Sequence, residues 1–238
     1  MRRVAGFAVA FAVAFAPAVW AQVGKAKKAE DEKQSVAADT GAAADAVQLF
    51  NGQDFEGWKL FIPDENVDPK TVWEIRDGVI HCKGKPAGYM RTTTEYENYK
   101  LTFEWRWPEG GGNSGLLMHI QGEDKVWPKS IEGQLMSRNA ADFYVIDGTE
   151  FKEHIEHVKA INKPDERRVP KKTDSNEKPL GEWNTYEAVC DGNTIKLYVN
   201  GLLQNEATDA NVSKGYIGLQ SEGTPIEFRN IVLESLKK

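Results

Sequence analysis

The sequence predicts an all-β fold, an antiparallel β-sandwich or jelly roll, on three observations. Apolar and polar residues alternate with a period of two in several short runs. Gly, Asn and Asp turns punctuate the chain between those runs, and helical periodicity is nearly absent from the body of the chain.

The elements follow in order. Arg2 and Arg3 precede an apolar run from Val4 to Val19, and small Ala21 stands before Gln22. That layout is a secretory signal peptide over residues 1–21, and it implies a periplasmic or secreted protein. The run is short for a membrane span of about 20 apolar residues, and no later segment could form one. Residues 22–46 are rich in Ala, Lys, Glu, Asp and Gln and hold no aromatic residue. Such a stretch buries too little apolar surface to offset the entropy of ordering it, so it reads as a flexible linker. The folded domain then covers residues 47–238.

Within it, Val72 to Arg76 and Val79 to Cys82 flank Asp77-Gly78, a hairpin signal. The strongest strand runs from Asn98 to Trp107, where Tyr99, Leu101, Phe103, Trp105 and Trp107 alternate with Lys100, Thr102, Glu104 and Arg106. Tyr186 to Cys190 and Ile195 to Val199 flank Asp191-Gly192-Asn193, and Asn200-Gly201 turns the chain into Leu202 to Ala207. Tyr216 to Ser221 and Ile226 to Leu233 close the set. Phe151 to Leu180, rich in Lys, Glu, Asp and Pro, breaks the pattern and reads as a long surface excursion. His154 and His157 within it have metal-ligand spacing, but their polar surroundings make them solvated histidines.

The formal charge is −6, and no basic stripe with interleaved aromatics appears, which argues against nucleic acid as a partner. Cys82 and Cys190 are the two cysteines. In an oxidising compartment they could pair, and as residues of predicted strands they could equally be buried thiols.

Strand phase points to a set of polar side chains. In Asn113 to Gln121, Leu116, Met118 and Ile120 share one face while Asn113, His119 and Gln121 take the other. In Ile131 to Met136, Glu132 and Gln134 oppose Ile131 and Leu135; in Tyr216 to Glu222, Gln220 and Glu222 oppose Ile217 and Leu219. Glu104 and Arg106 lie on the polar side of the strongest strand, and Arg229 lies opposite Phe228. If these strands are neighbours, the polar residues line one wall. Their mixture of carboxylates, amides, Arg and His around Gly and aromatics suits a sugar cleft better than a Lys, Thr and Ser surface does, although the outer face of any sandwich is polar. Asn113-Ser114-Gly115 does not resemble a nucleophile elbow.

The ordered segments "LFNGQDFEGW" (Leu49 to Trp58), "WEIRDGVIHCKG" (Trp73 to Gly84), "YENYKLTFEWRWPEGGGNSGLLMHI" (Tyr96 to Ile120), "IEGQLM" (Ile131 to Met136), "GEWNTYEAVCDGNTIKLYVNG" (Gly181 to Gly201) and "KGYIGLQSEGTPIEFRNIVLESL" (Lys214 to Leu236) resemble the 3-keto-disaccharide hydrolase domain family. The resemblance implies a concanavalin A-like sandwich, export, and action on glycosides oxidised at C3. The chain departs from the family in two places. Ser221-Glu222 stands where relatives commonly have Asp-His, and Glu132-Gly133-Gln134 replaces a Glu-Val-Gln triplet.

A C3 carbonyl acidifies the C2 proton, so a base can start elimination of the C1 leaving group, and water then completes net hydrolysis. Glu132 or His119 is expected as the base. Arg106, Arg229 or a divalent metal would offset the developing charge, with Asn113, Gln134, Gln220 and Glu222 binding substrate. Two other readings stay open. One is ordinary two-carboxylate hydrolysis by Glu132 with Glu104 or Glu222. The other is a non-catalytic lectin-like module stacking sugar on Trp58, Trp127 or Trp183.

Overall fold

A computed structural model describes residues 46–236, so the expected signal peptide lies outside the described residues, as does all but the last residue of the expected linker. The strands are β1 (Ala46–Gln48), β2 (Trp58–Phe61), β3 (Trp73–Arg76), β4 (Val79–Cys82), β5 (Gly88–Thr92), β6 (Tyr99–Arg106), β7 (Gly115–Gln121), β8 (Lys129–Gln134) and β9 (Phe143–Ile146). A helix α1 (Lys152–Ile161) precedes β10 (Arg168–Val169), β11 (Asn184–Asp191), β12 (Thr194–Val199), β13 (Leu202–Ala207), β14 (Tyr216–Ser221) and β15 (Ile226–Ser235).

They form two antiparallel sheets, a jelly-roll sandwich as the patterning predicts. The first runs β13-β12-β11-β6-β15-β4-β3, with β1 also on β15; the second runs β10-β9-β8-β7-β14-β5-β2. The hairpin turns carry the left-handed backbone they need: Asp77 and Gly78 have φ of 52° and 73°, and Asn200 and Gly201 of 48° and 78°.

The alternation along β6 puts Tyr99, Leu101, Phe103 and Trp105 into the space between the sheets, each almost fully buried. They meet Tyr186 and Phe228 of the same sheet and Leu116, Met118, Ile131 and Phe143 of the other. Phe103 stacks on Tyr186 at 5.2 Å between centroids. Burying each such aromatic contributes roughly 1.5–3 kcal/mol, and this shared core fixes which face of every strand turns outward.

One detail of that core explains a departure from the family pattern. The Tyr186 hydroxyl lies 2.5 Å from where a Cβ on Gly133 would stand. A valine there would collide with it, so Gly133 and Tyr186 fit as a pair.

One expectation is corrected. His154 is not solvated: it is buried on α1, and its Nε2 lies 2.8 Å from the Glu166 carbonyl oxygen. Of the two readings open for the cysteines, that of buried thiols holds, since Cys82 and Cys190 are both free and buried, on β4 and β11. The excursion from Phe151 to Leu180 contains α1 and β10.

Candidate active site

Register assembles the site on the outer face of the second sheet. Glu132 of β8 lies opposite Leu117 of β7 on one side and Tyr144 of β9 on the other, while Gln134 lies opposite Gly115. Gly218 of β14 also pairs with Leu117, which brings Gln220, two residues on, level with Gly115. Glu222 bridges to Asn113. Residues two apart share a face, so Asn113, Glu132, Gln134, Tyr144, Gln220 and Glu222 all turn away from the core.

Gly115 makes room for them. A Cβ at that position would run into both Glu132 Oε1 and Gln220 Oε1, so these two side chains lean together over the gap its missing side chain leaves. A pocket of about 220 Å³ opens beside them, walled by Asn113, Glu132, Gln134, Tyr144 and Glu222, with Arg167 and the exposed Trp127 and Met136 at its rim.

The electrostatics of this pocket are unusual. Glu132 is only 4% exposed, and its Oε1 has no hydrogen-bond partner. Burial first, and then the nearby charge of Glu222, push its pKa from 4.5 up to about 8, against the opposing influence of Arg167 and Gln220. Glu222 is also raised by burial, opposed by Asn113 and Arg167. Two carboxyls in one partly desolvated pocket resist joint ionisation, so Glu132 holds its proton near neutrality while remaining able to release it. Both polar atoms of the Gln220 amide are buried without partners. Gln134 braces the turn that follows, its Oε1 accepting from the Leu135 and Met136 amides at 2.9 and 3.0 Å.

The structure separates residues that sequence reasoning grouped. His119 is not on this wall. A left-handed φ of 57° and a register shift between Met118 and Gln121 reverse the alternation at the end of β7. His119 consequently turns into the core, 0% exposed and edge-on to Tyr99 at 5.8 Å, and Ile120 packs with Leu117 and Tyr89 on the opposite side. Burial lowers the His119 pKa to about 4, and its place in the core, outside the pocket lining, removes it as the base.

Arg106, Arg229 and Glu104 are corrected too, because β6 and β15 belong to the first sheet and face solvent on the far side of the sandwich. There Arg229 pairs with Glu104 at 2.7 Å and Arg106 pairs with Glu227. Both guanidiniums lie over Trp183, at 4.0 and 4.6 Å from its ring. Trp58 is buried, its indole N–H donating to the Leu49 carbonyl. Of the three tryptophans considered for sugar stacking, only Trp127 stands at the pocket. Among the described residues no trio of His, Cys, Asp or Glu lies close enough to hold a metal ion.

Three contributors escaped the sequence. Tyr144 was legible in principle, because Phe143 to Ile146 is a short β-prone run that places Tyr144 opposite the core residue Phe143. Gly115 sits in an unremarkable turn-like triplet, and Arg167 lies in a charge-rich stretch that carries no pattern.

The comparisons with known proteins agree with this architecture. The domain described as 3-keto-alpha-glucoside-1,2-lyase-like matches residues 45–234. A Bacteroides thetaiotaomicron protein named 3-keto-disaccharide hydrolase is 25% identical, over 80% of this chain and 78% of its own. Among solved structures, a candidate glycosyl hydrolase from Parabacteroides distasonis superposes with a TM-score of 0.59 at 21% identity, covering 81% of this chain and 94% of that one. A Bacillus licheniformis β-glucanase superposes with a TM-score of 0.51 at 14% identity, covering 83% and 100%. At such identities the two structures speak for the shared concanavalin A-like fold.

Proposed function

Because the chain belongs to the 3-keto-alpha-glucoside-1,2-lyase-like family, we propose that it is an exported hydrolase that cleaves glycosides carrying a carbonyl at C3, by elimination and rehydration. The observation that carries the reading is Glu132: a buried carboxyl on a pocket wall, unpartnered at Oε1 and raised to about 8. Such a group exchanges a proton readily near neutrality.

In this mechanism the Glu132 carboxylate takes the C2 proton, and the C2–H electron pair moves into a C2–C3 double bond with charge on O3. The pair on O3 then re-forms the C3 carbonyl as the C2–C3 pair shifts to make a C1–C2 double bond and the C1–O bond breaks, its pair leaving on the oxygen. Glu222, on the same pocket wall and the charge that raises Glu132, orients the water that protonates the leaving oxygen. The hydroxide so formed adds at C1, Glu132 exchanges its proton with solvent and reprotonates C2, and the net change is hydrolysis. Asn113, Gln134 and Gln220 supply amides to sugar hydroxyls, and Trp127 offers a ring face at the rim. The word lyase in the family description supports the elimination step.

The pairing of Glu132 with Glu222 also favours a second reading, ordinary two-carboxylate glycoside hydrolysis. Matched 3-keto and unmodified glucosides, incubated with and without chelator, distinguish the two. Turnover of the 3-keto compound alone supports elimination; turnover of the unmodified glucoside supports the second reading; binding without turnover of either refutes both. Loss of turnover with chelator would add a divalent metal to the mechanism. Export rests on Arg2, Arg3 and the apolar run that follows; N-terminal sequencing of protein recovered outside the cytoplasm should begin at Gln22.

A further inference from the structure

We infer that Arg167 is a catalytic residue, its guanidinium binding the C3 carbonyl oxygen and holding the negative charge that forms there while Glu132 carries the C2 proton. The inference rests on the proposed elimination and adds the partner that this reaction requires.

The need is chemical. Removing the C2 proton places close to a full negative charge on O3, in a pocket already lined by two carboxyls. A cationic donor aimed at that oxygen stabilises the charge as it forms. Arg106 and Arg229 cannot serve, because they lie on the far side of the sandwich in ion pairs of their own. Among the described residues lining the pocket, Arg167 is the one with a cationic side chain.

Its situation differs from that of neighbouring arginines. Arg168 is tied to Asp142 and Arg91 to Asp124, each at 2.7 Å. The Arg167 side chain is exposed and makes no ion pair among the described residues, yet it opposes the raised pKa of both Glu132 and Glu222. Its charge therefore reaches the place where the substrate's charge would develop.

The backbone beneath it is held on three sides. The Arg167 carbonyl accepts from the Val145 amide at 3.0 Å, and Glu166 Oε1 accepts from the amides of Arg167 and Arg168 at 3.1 and 3.0 Å. The Glu166 carbonyl in turn meets buried His154 of α1. The long insertion between β9 and β11 thus delivers a guanidinium to the pocket rim from a fixed base. O3 and the C2 hydrogen are on adjacent carbons, so a cation and a base sharing one small pocket can address both at once. A planar guanidinium also presents two parallel N–H donors to a carbonyl and a neighbouring hydroxyl, which an ammonium does not match.

The test compares the full-length protein with Arg167→Gln and Arg167→Lys. It measures kcat and KM on a 3-keto-glucoside and the titration of the Glu132 carboxyl by carbon NMR. Arg167→Gln should raise the Glu132 pKa and lower kcat by about 10²–10³-fold beyond what that change in ionisation accounts for. Guanidinium added to the solution should restore part of the loss, and Arg167→Lys should recover less than the native residue provides. A loss fully explained by the Glu132 titration would make Arg167 an electrostatic neighbour only and overturn the inference. An unmoved Glu132 titration would remove Arg167 from the pocket altogether. A native protein inert toward the 3-keto-glucoside would instead overturn the proposed function, and the inference with it.

Discussion

Replacing Glu132 with Gln should make the protein more stable at alkaline pH than the native chain, by an amount that grows with pH. In the folded protein the Glu132 carboxyl has a pKa of about 8, against 4.5 when unperturbed. Between those values the folded state keeps a proton that the unfolded chain has released, so native stability falls as pH rises from 4.5 to 8 and levels off above 8. At about 1.36 kcal/mol per unit, the full cost approaches about 5 kcal/mol, and the depth of burial of this group leaves little solvent screening to discount it. The amide of Gln does not titrate and takes the same space. Urea unfolding of both proteins at pH 5 and pH 9 measures the effect, and taking the difference between them cancels the titrating groups that are not coupled to Glu132, leaving Glu132 with its neighbour Glu222. A gain for Glu132→Gln of several kcal/mol at pH 9, shrinking to little at pH 5, is expected. An equal difference at the two pH values would refute the claim that Glu132 is a desolvated, proton-holding carboxyl.

Other outcomes follow from the same geometry. His119→Asn, which tolerates the left-handed backbone, should leave turnover within a few-fold of native. It should also remove an acid-side loss of up to about 3 kcal/mol, because the native imidazole resists the proton that the unfolded chain binds as pH falls from 6.5 to 4; urea midpoints across pH 4 to 7 report it, and a 10²-fold fall in turnover of a folded variant would contradict it. Gly115→Ala should force apart Glu132 and Gln220, cost about 1–3 kcal/mol and reduce kcat at least tenfold; native kinetics with a native melting temperature would refute that contact. Arg106→Gln and Arg229→Gln should leave kcat and KM within about twofold; Arg229→Gln should cost about 1 kcal/mol through its contacts with Trp183 and half-buried Glu104, and Arg106→Gln more, because it leaves buried Glu227 without its guanidinium. A large kinetic effect of either would mean that the far sheet takes part in the reaction.

Much of the site was legible because alternation is a local property. Glu132, Gln134, Gln220, Glu222 and Asn113 each follow from the apolar residues beside them in the same strand, and all five reach the outer face of the second sheet. What alternation does not carry is strand order. Arg106 and Glu104 have as clear a phase as Glu132, but β6 pairs with β11 and β15, and nothing within a single strand announces which sheet it will join. Phase also assumes an unbroken ladder. At His119 one residue in the left-handed region reverses the faces, and Gly215, just before β14, leaves space for the displaced His119 and Ile120 backbone. Arg167 comes from an insertion whose position is set by pairing of β10 with β9, a contact formed across more than twenty residues of chain.

The most direct measurement is deuterium incorporation at C2 when a 3-keto-glucoside is turned over in heavy water, sampled at initial rates against an enzyme-free control. The native protein should release a 3-keto sugar bearing deuterium at C2, and Glu132→Gln should release none. Product that keeps its original hydrogen at C2, formed at a rate that Glu132→Gln leaves unchanged, would mean that the glycosidic bond breaks without the proton transfer assigned to Glu132.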